Sequence, residues 1–332
     1  MNPYERVKGL PETEEIIDQV LRKASRTAIK IPFLGKRERT AKARERKRIE
    51  TLAKALTDYL KRAVEIGETH ESAEIFYNKI GDLLFGTEEI RESTRRLRGS
   101  IRIIEKIRKT YLKRLRRNVK DAARVRREAY GRSISVLRRR RKDLERLRSV
   151  WEKMRGLPSI DRVVPTVVVA GSPNVGKSSL VNALSRVKIE VASYPFTTKE
   201  ISVGHLERGS RRVQIIDTPG LLDRPMEKRN PIERKTVLCL RHVANLIVYM
   251  FDPSHEKYYP LEDQIKIYGE IRDTFAGIPV IPVVNKIDIA IENLNSVKDV
   301  LAEEVFETSI TEEVGLEGLL NEIFNILYHV NK

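Results

Sequence analysis

Gly171-Ser172-Pro173-Asn174-Val175-Gly176-Lys177-Ser178 is the stretch that decides the fold of the second half of this chain. It fits the pattern G-x-x-x-x-G-K-[ST], follows a β-branched run at 163–169 and precedes a helix-like run at 179–186. In that context the glycines let the backbone curl, so that its N–H groups and the helix N-terminus face phosphate oxygens. We expect Lys177 to reach the β- and γ-phosphates and the Ser178 hydroxyl to bind Mg²⁺. The predicted triphosphate site also includes Asn174, Val175, Gly176 and Ser179.

The chain around this loop alternates β-rich runs with helical patterns. Strands are predicted at Val163–Ala170, Glu200–Leu206, Arg211–Asp217, Leu246–Asp252, Val280–Asn285 and Val305–Ser309. Helices are predicted to begin near Ser178, Pro231, Leu261, Leu294 and Leu316. This alternation predicts an α/β domain over residues 158–332, with a mainly parallel sheet and helices on both faces. Ligands of such sheets bind at the carboxyl ends of the strands.

The first half has almost no strand signal, which predicts an all-α helical bundle domain over residues 1–157. Helical runs are predicted at Thr13–Ala28, Arg37–Ile66, Ser72–Leu84 and Thr87–Met154, punctuated by Gly35, Gly67, Gly86 and Gly99. In the last run, apolar residues recur at steps of three and four, from Ile104 to Trp151. That spacing indicates an apolar stripe on one long helix or a helix pair, for which Gly131 is the predicted bend.

Positive charge is concentrated in this helical half. Residues 1–150 hold 42 Lys and Arg against 22 Asp and Glu, and residues 101–150 hold 20 against 5. With so few acids nearby, self-pairing is not expected to neutralise the clusters, of which Arg138–Arg141 is the densest. We interpret this surface as an RNA-binding face that holds phosphates. A solvated helix face is the alternative, and an anionic membrane is a weaker one because the stripe lacks a Trp/Phe-rich face.

Other features bear on the compartment. The single cysteine, Cys239, excludes an internal disulfide framework and is expected to lie on a buried helix face. The N-terminal residues have no apolar signal core, and no uncharged stretch approaches the ~18 apolar residues of a membrane span. We therefore expect a cytoplasmic protein without a membrane partner.

Two further motifs indicate which nucleotide is bound. Asp217-Thr218-Pro219-Gly220 ends a predicted strand 39 residues after Ser178. There, an aspartate can hold Mg²⁺ through water and the Gly220 N–H can contact the γ-phosphate. Asn285-Lys286-Ile287-Asp288 ends another predicted strand. The Asp288 carboxylate can accept hydrogen bonds from the N1–H and 2-amino group of guanine, which adenine lacks. Asn285 and Lys286 are expected to tie this loop to the phosphate loop.

Two weaker motifs complete the predicted site. Tyr194-Pro195-Phe196-Thr197-Thr198 lies between the first helix and the second strand of this domain, where a threonine can close on Mg²⁺ and the γ-phosphate. Of Thr197 and Thr198 we favour Thr198, which with Ser178 and Asp217 makes up the predicted metal set. Ser309-Ile310 can support guanine through backbone groups, or can be a plain strand end.

With these motifs, the chain resembles the Obg–HflX-like branch of translation-factor-class GTPases, and within it a short archaeal-type member of the nucleolar GTP-binding protein family. Closer marks are the stretches 217–225 and 229–233 and the basic helical domain before the GTPase domain. The resemblance implies a P-loop GTPase domain, a role in large ribosomal subunit assembly, binding to ribosomal RNA and a monomer off the ribosome. Departures are the absence of the long C-terminal extension of eukaryotic members and Ser309-Ile310 where Ser-Ala is usual.

The sequence lacks the water-orienting glutamine that Ras-like GTPases use in catalysis. Leu221 stands where Ras-like enzymes place the glutamine that orients water, and leucine cannot do this. Slow intrinsic GTP hydrolysis is therefore predicted, with Lys177, Thr198, Gly220 and Asn174 as the catalytic set. Asn174 matches a residue that helps hold K⁺ in several related GTPases, or it merely stabilises the loop. Either the protein is a GTPase switch, or it is an RNA-binding assembly scaffold in which GTP is mainly a structural ligand.

Overall fold

The computed structural model describes residues 1–27, 37–117, 121–161, 163–185, 189–192, 200–255, 259–289, 294–301 and 303–329. The backbone divides into two compact units. One comprises Pro3–Arg155, and the other comprises Gly156–Lys332 together with Met1–Asn2. Each unit has buried apolar residues of its own. Within the described ranges, no helix combines the length and the apolarity that crossing a membrane would need.

The first unit is helical, as predicted. Its described residues form the helices α1 (Thr13–Ser25), α2 (Arg37–Ser72), α3 (Ile75–Phe85), α4 (Thr87–Arg116), α5 (Ala122–Arg139) and α6 (Arg141–Arg155). The apolar residues that recur every three or four positions are the ones that pack together. Leu60, Leu97, Ile104, Leu137 and Leu147 are all fully buried. The core of this unit is therefore assembled from one apolar stripe per helix.

The predicted run Thr87–Met154 is three helices rather than one long helix or a helix pair, and the prediction of a bend at Gly131 was wrong. Gly131 lies inside α5, since a solvent-facing glycine costs only about 1 kcal/mol in a helix. The breaks fall elsewhere. Asp121 caps α5 by accepting the Arg124 N–H at 2.9 Å, and the Arg140 N–H bonds to the Leu137 carbonyl at 2.8 Å, one residue short of the α-helical partner.

Gly67 and Gly99 were predicted to separate helices but lie within α2 and α4. At Gly67 the reason is close packing of these two helices. A Cβ atom there would stand 1.9 Å from the Thr94 hydroxyl oxygen of α4. The glycine is therefore needed for helix approach, whereas Gly86 does end α3, with a φ of 75°.

The second unit contains a seven-stranded sheet in the described residues. The strands are β1 (Thr166–Gly171), β2 (Glu190–Ala192), β3 (Ile201–Arg208), β4 (Arg211–Asp217), β5 (Leu246–Phe251), β6 (Val280–Asn285) and β7 (Phe306–Thr308). The helices are α7 (Lys177–Leu184), α8 (Pro231–Leu240), α9 (Leu261–Thr274), α10 (Leu294–Leu301) and α11 (Leu316–His329). Cys239 of α8 is buried, as predicted. The short and largely exposed β2 is an element that the sequence did not predict.

The strand order is β2-β3-β4-β1-β5-β6-β7. β1 is parallel to β4 and β5, β6 is parallel to β5 and β7, and only β2–β3 and β3–β4 are antiparallel. Every residue of β1 and β5 is buried, as expected for central parallel strands covered on both faces. The carboxyl ends of β1, β4, β5, β6 and β7 therefore lie at one edge, which is where the sequence motifs fall.

A buried histidine makes the stability of the helical unit depend on pH. His70 near the end of α2 is fully buried, and the Tyr4 hydroxyl lies 3.0 Å from its Nδ1. Its Nε2 has no hydrogen-bond partner among the described residues. Burial lowers the pKa of His70, against the smaller opposing effect of Asp82 and Glu71. As the pH falls through about 6.5, His70 therefore takes up a proton in the unfolded chain before it does so in the folded one. This preferential protonation of the unfolded state lowers the free energy of unfolding.

We expect the helical unit of the wild-type chain to lose up to about 1.4 kcal/mol per pH unit below pH ~6.5, and the His70→Gln variant to lose less. Urea unfolding followed by the fluorescence of Trp151, the only tryptophan of the chain, measures this unit. Replacing the exposed His242 by Gln is the control and should leave the pH dependence unchanged. Equal pH slopes for wild type and His70→Gln would contradict the assignment.

Candidate functional site

The phosphate loop joins the end of β1 to the start of α7 and has the strained backbone that its sequence implies. Asn174 has a φ of 65° and Gly176 a φ of 102°, both in the left-handed region. Asparagine tolerates this region better than most residues. The Leu180 N–H bonds to the Gly176 carbonyl at 2.8 Å, so α7 begins directly after Gly176. Because the N–H groups of the first helical turn have no partner within a helix, they can bind an anion.

A cleft of about 350 Å³ opens in front of this loop. It is lined by Pro173, Asn174, Gly176, Lys177, Ser178, Ser179, Pro219, Gly220 and Asp223. Most of the predicted phosphate-binding residues therefore share one cavity, while Val175 is buried behind it. Asp223 is a lining residue that the sequence analysis did not single out.

Lys177 is held over the loop. Its side chain is buried, and its Nζ donates to the carbonyl oxygens of Gly171 at 2.8 Å and Ser172 at 2.7 Å. These bonds keep the ammonium group at the cleft and satisfy a charge that would be costly to bury alone. The positive charge is thus held at the cleft, and its contact with the β- and γ-phosphates stays a prediction.

Two of the three predicted metal ligands lie together. The Ser178 hydroxyl donates to Asp217 Oδ2 at 2.5 Å, and Asp217 is 1% exposed at the end of β4. Hydroxyl and carboxylate oxygens are the hard ligands that Mg²⁺ prefers, so this pair fits the ion. The third ligand, Thr198, and its neighbour Thr197 lie outside the described residues.

The guanine motif is tied to the phosphate loop by a buried hydrogen bond. Asn285 Nδ2 donates to the Val175 carbonyl at 2.9 Å, and its Oδ1 accepts from the Thr308 hydroxyl at 3.2 Å. The backbone passes so close that a Cβ at Gly176 would stand 2.6 Å from Asn285 Nδ2. This asparagine therefore couples the ends of β6 and β7 to the phosphate loop, in the role expected for it.

Lys286 and Asp288 follow at the end of β6. Lys286 has a φ of 64°, and its Nζ lies 2.5 Å from Asp252 Oδ2 at the end of β5. Asp252 has a nearly buried side chain, so losing its partner would cost about 3–5 kcal/mol. Asp288 is exposed two residues further on, open to a base. The sequence analysis missed Asp252, although its place directly after a buried strand was a usable signal.

The Ser309-Ile310 pair lies beside this region. The Ser309 N–H and carbonyl both bond to Val314, at 3.1 and 2.9 Å. Because these bonds occupy the backbone of Ser309, Ile310 is the better candidate for a backbone contact with guanine. The Ile310 side chain reaches toward Gly176 of the phosphate loop, where an added Cβ would meet its Cδ1 at 3.2 Å.

A phosphate loop bonded to a guanine-type motif is the arrangement that separates P-loop GTPase domains from other nucleotide-binding α/β domains. Residues 166–286 match the family model described as 50S ribosome-binding GTPase. Residues 4–161 match the NOG1 N-terminal helical domain. The chain therefore contains a GTPase domain preceded by this helical domain, and it belongs to the nucleolar GTP-binding protein 1 family.

The chain is also similar to individual proteins. An uncharacterised protein of Methanocaldococcus jannaschii is 32% identical over 88% of this chain and 82% of its own length. Nucleolar GTP-binding protein 1 of Caenorhabditis elegans is 32% identical over 87% of this chain, which covers 43% of that protein. The chain thus spans about half the length of the relatives that carry this name. A crystal structure assigned as nucleolar GTP-binding protein 1 from Plasmodium falciparum is 34% identical, covers 52% of this chain and 91% of its own, and has a TM-score of 0.45.

The predicted role of Asp288 can be tested through base specificity. We expect Asp288→Asn to weaken GTP binding by at least about 100-fold, because the asparagine amide cannot accept both guanine donors. The same change should strengthen binding of XTP, since xanthine presents a carbonyl where guanine has its 2-amino group. Fluorescent nucleotide titrations measure both affinities. Asp273→Asn, at the exposed end of α9, is the matched control, and an unchanged GTP affinity in Asp288→Asn would show that another group reads the base.

Proposed function

We propose that this protein is a GTP-hydrolysing switch that acts in assembly of the large ribosomal subunit, with its helical domain contacting ribosomal RNA. Family membership and the GTPase domain support the nucleotide part. The observation that carries the RNA part is a row of basic residues on α4 that form no ion pair with any described residue. We also place the protein in the Obg–HflX-like branch, and we expect a cytoplasmic protein that is monomeric off the ribosome.

The row of basic residues, named here the α4 stripe, runs along one face of that helix. Its members are Arg102, Lys106, Lys109, Lys113 and Arg116. Their spacing of four, three, four and three places them on one side of an α-helix over about 21 Å. All five are exposed, and none forms an ion pair with an acid in the described part of the chain. A stripe of this kind can follow a line of phosphates.

The cluster Arg138–Arg141, predicted as the densest part of the RNA-binding face, has acidic partners. Arg138 makes two hydrogen bonds to Glu14, at 3.1 and 3.0 Å, and Arg141 bonds to Glu145 at 2.6 Å. Arg140 lies 3.8 Å from Asp143. Three of its four arginines are thus paired with acids, among them Glu14 of another helix, which the count of acids in residues 101–150 left out. Arg139 forms no ion pair in the described part of the chain. The α4 stripe is the stronger candidate for RNA.

In the nucleotide cleft, the residues of the chain bind and orient the substrate. Lys177 and the first N–H groups of α7 would hold the phosphates, and Asp288 would select guanine. Ser178 and Asp217, with Thr198, would hold Mg²⁺, which when bound neutralises charge that develops on the phosphates. Each of these groups positions the substrate rather than reacting with it.

We propose that intrinsic hydrolysis is slow. Leu221 is 1% exposed, so the residue at the water-orienting position has its side chain in the core. Asn174 is exposed at the cleft and is held in the left-handed region, where its side-chain oxygen could contribute to a K⁺ site. Bound K⁺ would supply positive charge at the position of an arginine finger.

The RNA-binding proposal predicts different behaviour for paired and unpaired basic residues. Replacing the five residues of the α4 stripe by Gln should weaken binding to ribosomal RNA and lower the slope of log K against log salt by about one per residue that contacts phosphate. Binding measured at several KCl concentrations, with GDP and with a non-hydrolysable GTP analogue, gives both the slope and any dependence on nucleotide. If the affinity for RNA were the same with GDP and with the GTP analogue, the scaffold role would be favoured over the switch.

The control for this experiment lies on the same helix. Arg91, Arg98 and Arg108 pair with Glu88, Glu68 and Glu105, at 2.9, 2.6 and 2.8 Å. Replacing these three by Gln should change the salt slope much less, because their charges are already balanced. An equal effect of both sets would mean that net charge alone drives RNA binding, and an unchanged slope in the stripe variant would exclude the α4 stripe.

The K⁺ proposal predicts that GTP is hydrolysed faster in KCl than in NaCl at equal ionic strength. Asn174→Ala should remove most of this difference, since it deletes the side-chain oxygen at the cleft. Initial phosphate-release rates, measured at saturating GTP, provide the comparison. Equal rates of the wild-type chain in both salts would contradict a K⁺ site and leave Asn174 as a residue that stabilises the loop.

A further inference from the structure

The loop after β4 has no polar group at the position where water is usually oriented, and both residues there are anchored in the core. Leu221 and Leu222 are each 1% exposed. Leucine has no hydrogen-bonding group in its side chain. Any acceptor for the attacking water must therefore come from elsewhere around the cleft.

Asp223 is the next residue of the same loop, and it lines the cleft together with Lys177, Ser178 and Gly220. It is only 7% exposed, and its Oδ1 has no hydrogen-bond partner among the described residues. A buried polar atom without a partner is costly and usually marks a place where water or a ligand supplies the missing bond. Asp223 thus lies in the wall of the cleft and carries a carboxylate oxygen that has no donor among the described residues.

The backbone on both sides of this carboxylate is held in place. The Gly171 N–H donates to the Leu222 carbonyl at 3.1 Å, which ties the loop to the end of β1. The Tyr259 hydroxyl donates to the carbonyl of Asp223 itself at 3.2 Å. With two buried leucines before it, Asp223 has little freedom to turn toward bulk water. The carboxylate is therefore already fixed in position before a substrate binds, which is what preorganisation of a catalytic site requires.

A buried cation lies near this carboxylate and makes its hydrogen bonds elsewhere. Arg229 is 5% exposed, and burial lowers the pKa of its guanidinium while the charge of Asp223 acts in the opposite direction. Its Nε and Nη2 donate to the carbonyl of Arg224, at 3.1 and 2.5 Å. The side-chain hydrogen bonds of Arg229 are thus made to another residue, so they do not occupy the oxygens of Asp223.

We propose that Asp223 accepts a hydrogen bond from the water that attacks the γ-phosphate of GTP and orients that water for attack. Two anions would repel if the carboxylate faced the phosphate directly, whereas a water between them can donate to Asp223 and direct a lone pair at phosphorus. The water oxygen bonds to the γ-phosphorus as the bond from that phosphorus to the β–γ bridging oxygen breaks. Both water protons end on the phosphate product, and GDP leaves. The inference rests on the GTP hydrolysis proposed above and supplies the acceptor that Leu221 lacks.

The test compares Asp223→Asn and Asp223→Ala with the wild-type chain. Single-turnover hydrolysis of bound GTP should fall by about 10- to 100-fold in both variants. Affinity for GDP should stay within about threefold, and affinity for a non-hydrolysable GTP analogue should not fall, because a negative charge near the phosphates is removed. Glu227→Gln is the matched control, since this exposed acid of the same segment pairs with Lys266 away from the cleft, and it should hydrolyse GTP like wild type.

A second readout does not depend on turnover. GDP with aluminium fluoride mimics the transition state including its attacking water, whereas GDP with beryllium fluoride mimics the ground state. Asp223→Asn should weaken formation of the first complex and leave the second intact, since only the transition state uses the oriented water. Equal weakening of both complexes, or a fall in thermal stability that matches the fall in rate, would assign Asp223 a structural role and overturn the proposal.

The remaining outcomes separate this inference from the proposed function. Hydrolysis by the variants at the wild-type rate would overturn the role of Asp223 alone. A wild-type chain that binds GTP without hydrolysing it would overturn both this role and the switch. A defect present in KCl but lost in NaCl would mean that Asp223 holds a cation rather than water, and would also overturn the proposal.

Discussion

The parallel pairing of β1 with β4 and β5 is the constraint on which the nucleotide site depends. The register sets Val169 beside Asp217 and Gly171 beside Met250, so both neighbouring strands end level with the start of the phosphate loop. Because all three strands run in the same direction, the residues that follow them meet at one edge of the sheet. The contact between Ser178 and Asp217 is a direct result. A shift of one residue in the β1–β4 pairing would turn the Asp217 side chain to the other face of the sheet and would separate the two groups.

Buried charged groups at this edge are held by partners in the same loop or on a neighbouring strand. Lys177 is held by carbonyls of its own loop, and Lys286 by Asp252 from the neighbouring strand. Each bond satisfies a group whose burial alone would be costly, and each fixes the direction in which the group points. Asp223 departs from this pattern, since its Oδ1 is buried without a donor among the described residues. That difference singles out a residue to which the sequence analysis gave no role of its own, although it lies within the stretch 217–225 that marks the family resemblance.

In the helical unit, the basic residues that are most conspicuous in the sequence are not the ones that stay without an acidic partner. Runs such as Arg138–Arg141 stand out in the sequence because their members are adjacent, yet adjacent residues on a helix point in different directions. Pairing across helices, as between Arg138 and Glu14, decides which of them remain unbalanced. The α4 stripe is less conspicuous along the chain, and becomes evident once helix spacing and ion pairs are considered together.

The sequence by itself determined the class of each half, the phosphate loop, the guanine motif and most strand and helix positions of the GTPase domain. Those features are local, since they follow from glycine placement, residue periodicity and the chemistry of a few side chains in order. Only the tertiary structure decided that the run after Thr87 breaks near Asp121 and at Arg140 rather than at Gly131, that Asp252 partners Lys286, and that Asp223 lines the cleft. The helix breaks depend on which of several possible local caps forms, and the roles of Asp252 and Asp223 depend on contacts with residues distant in sequence. The periodicity of apolar residues specifies neither.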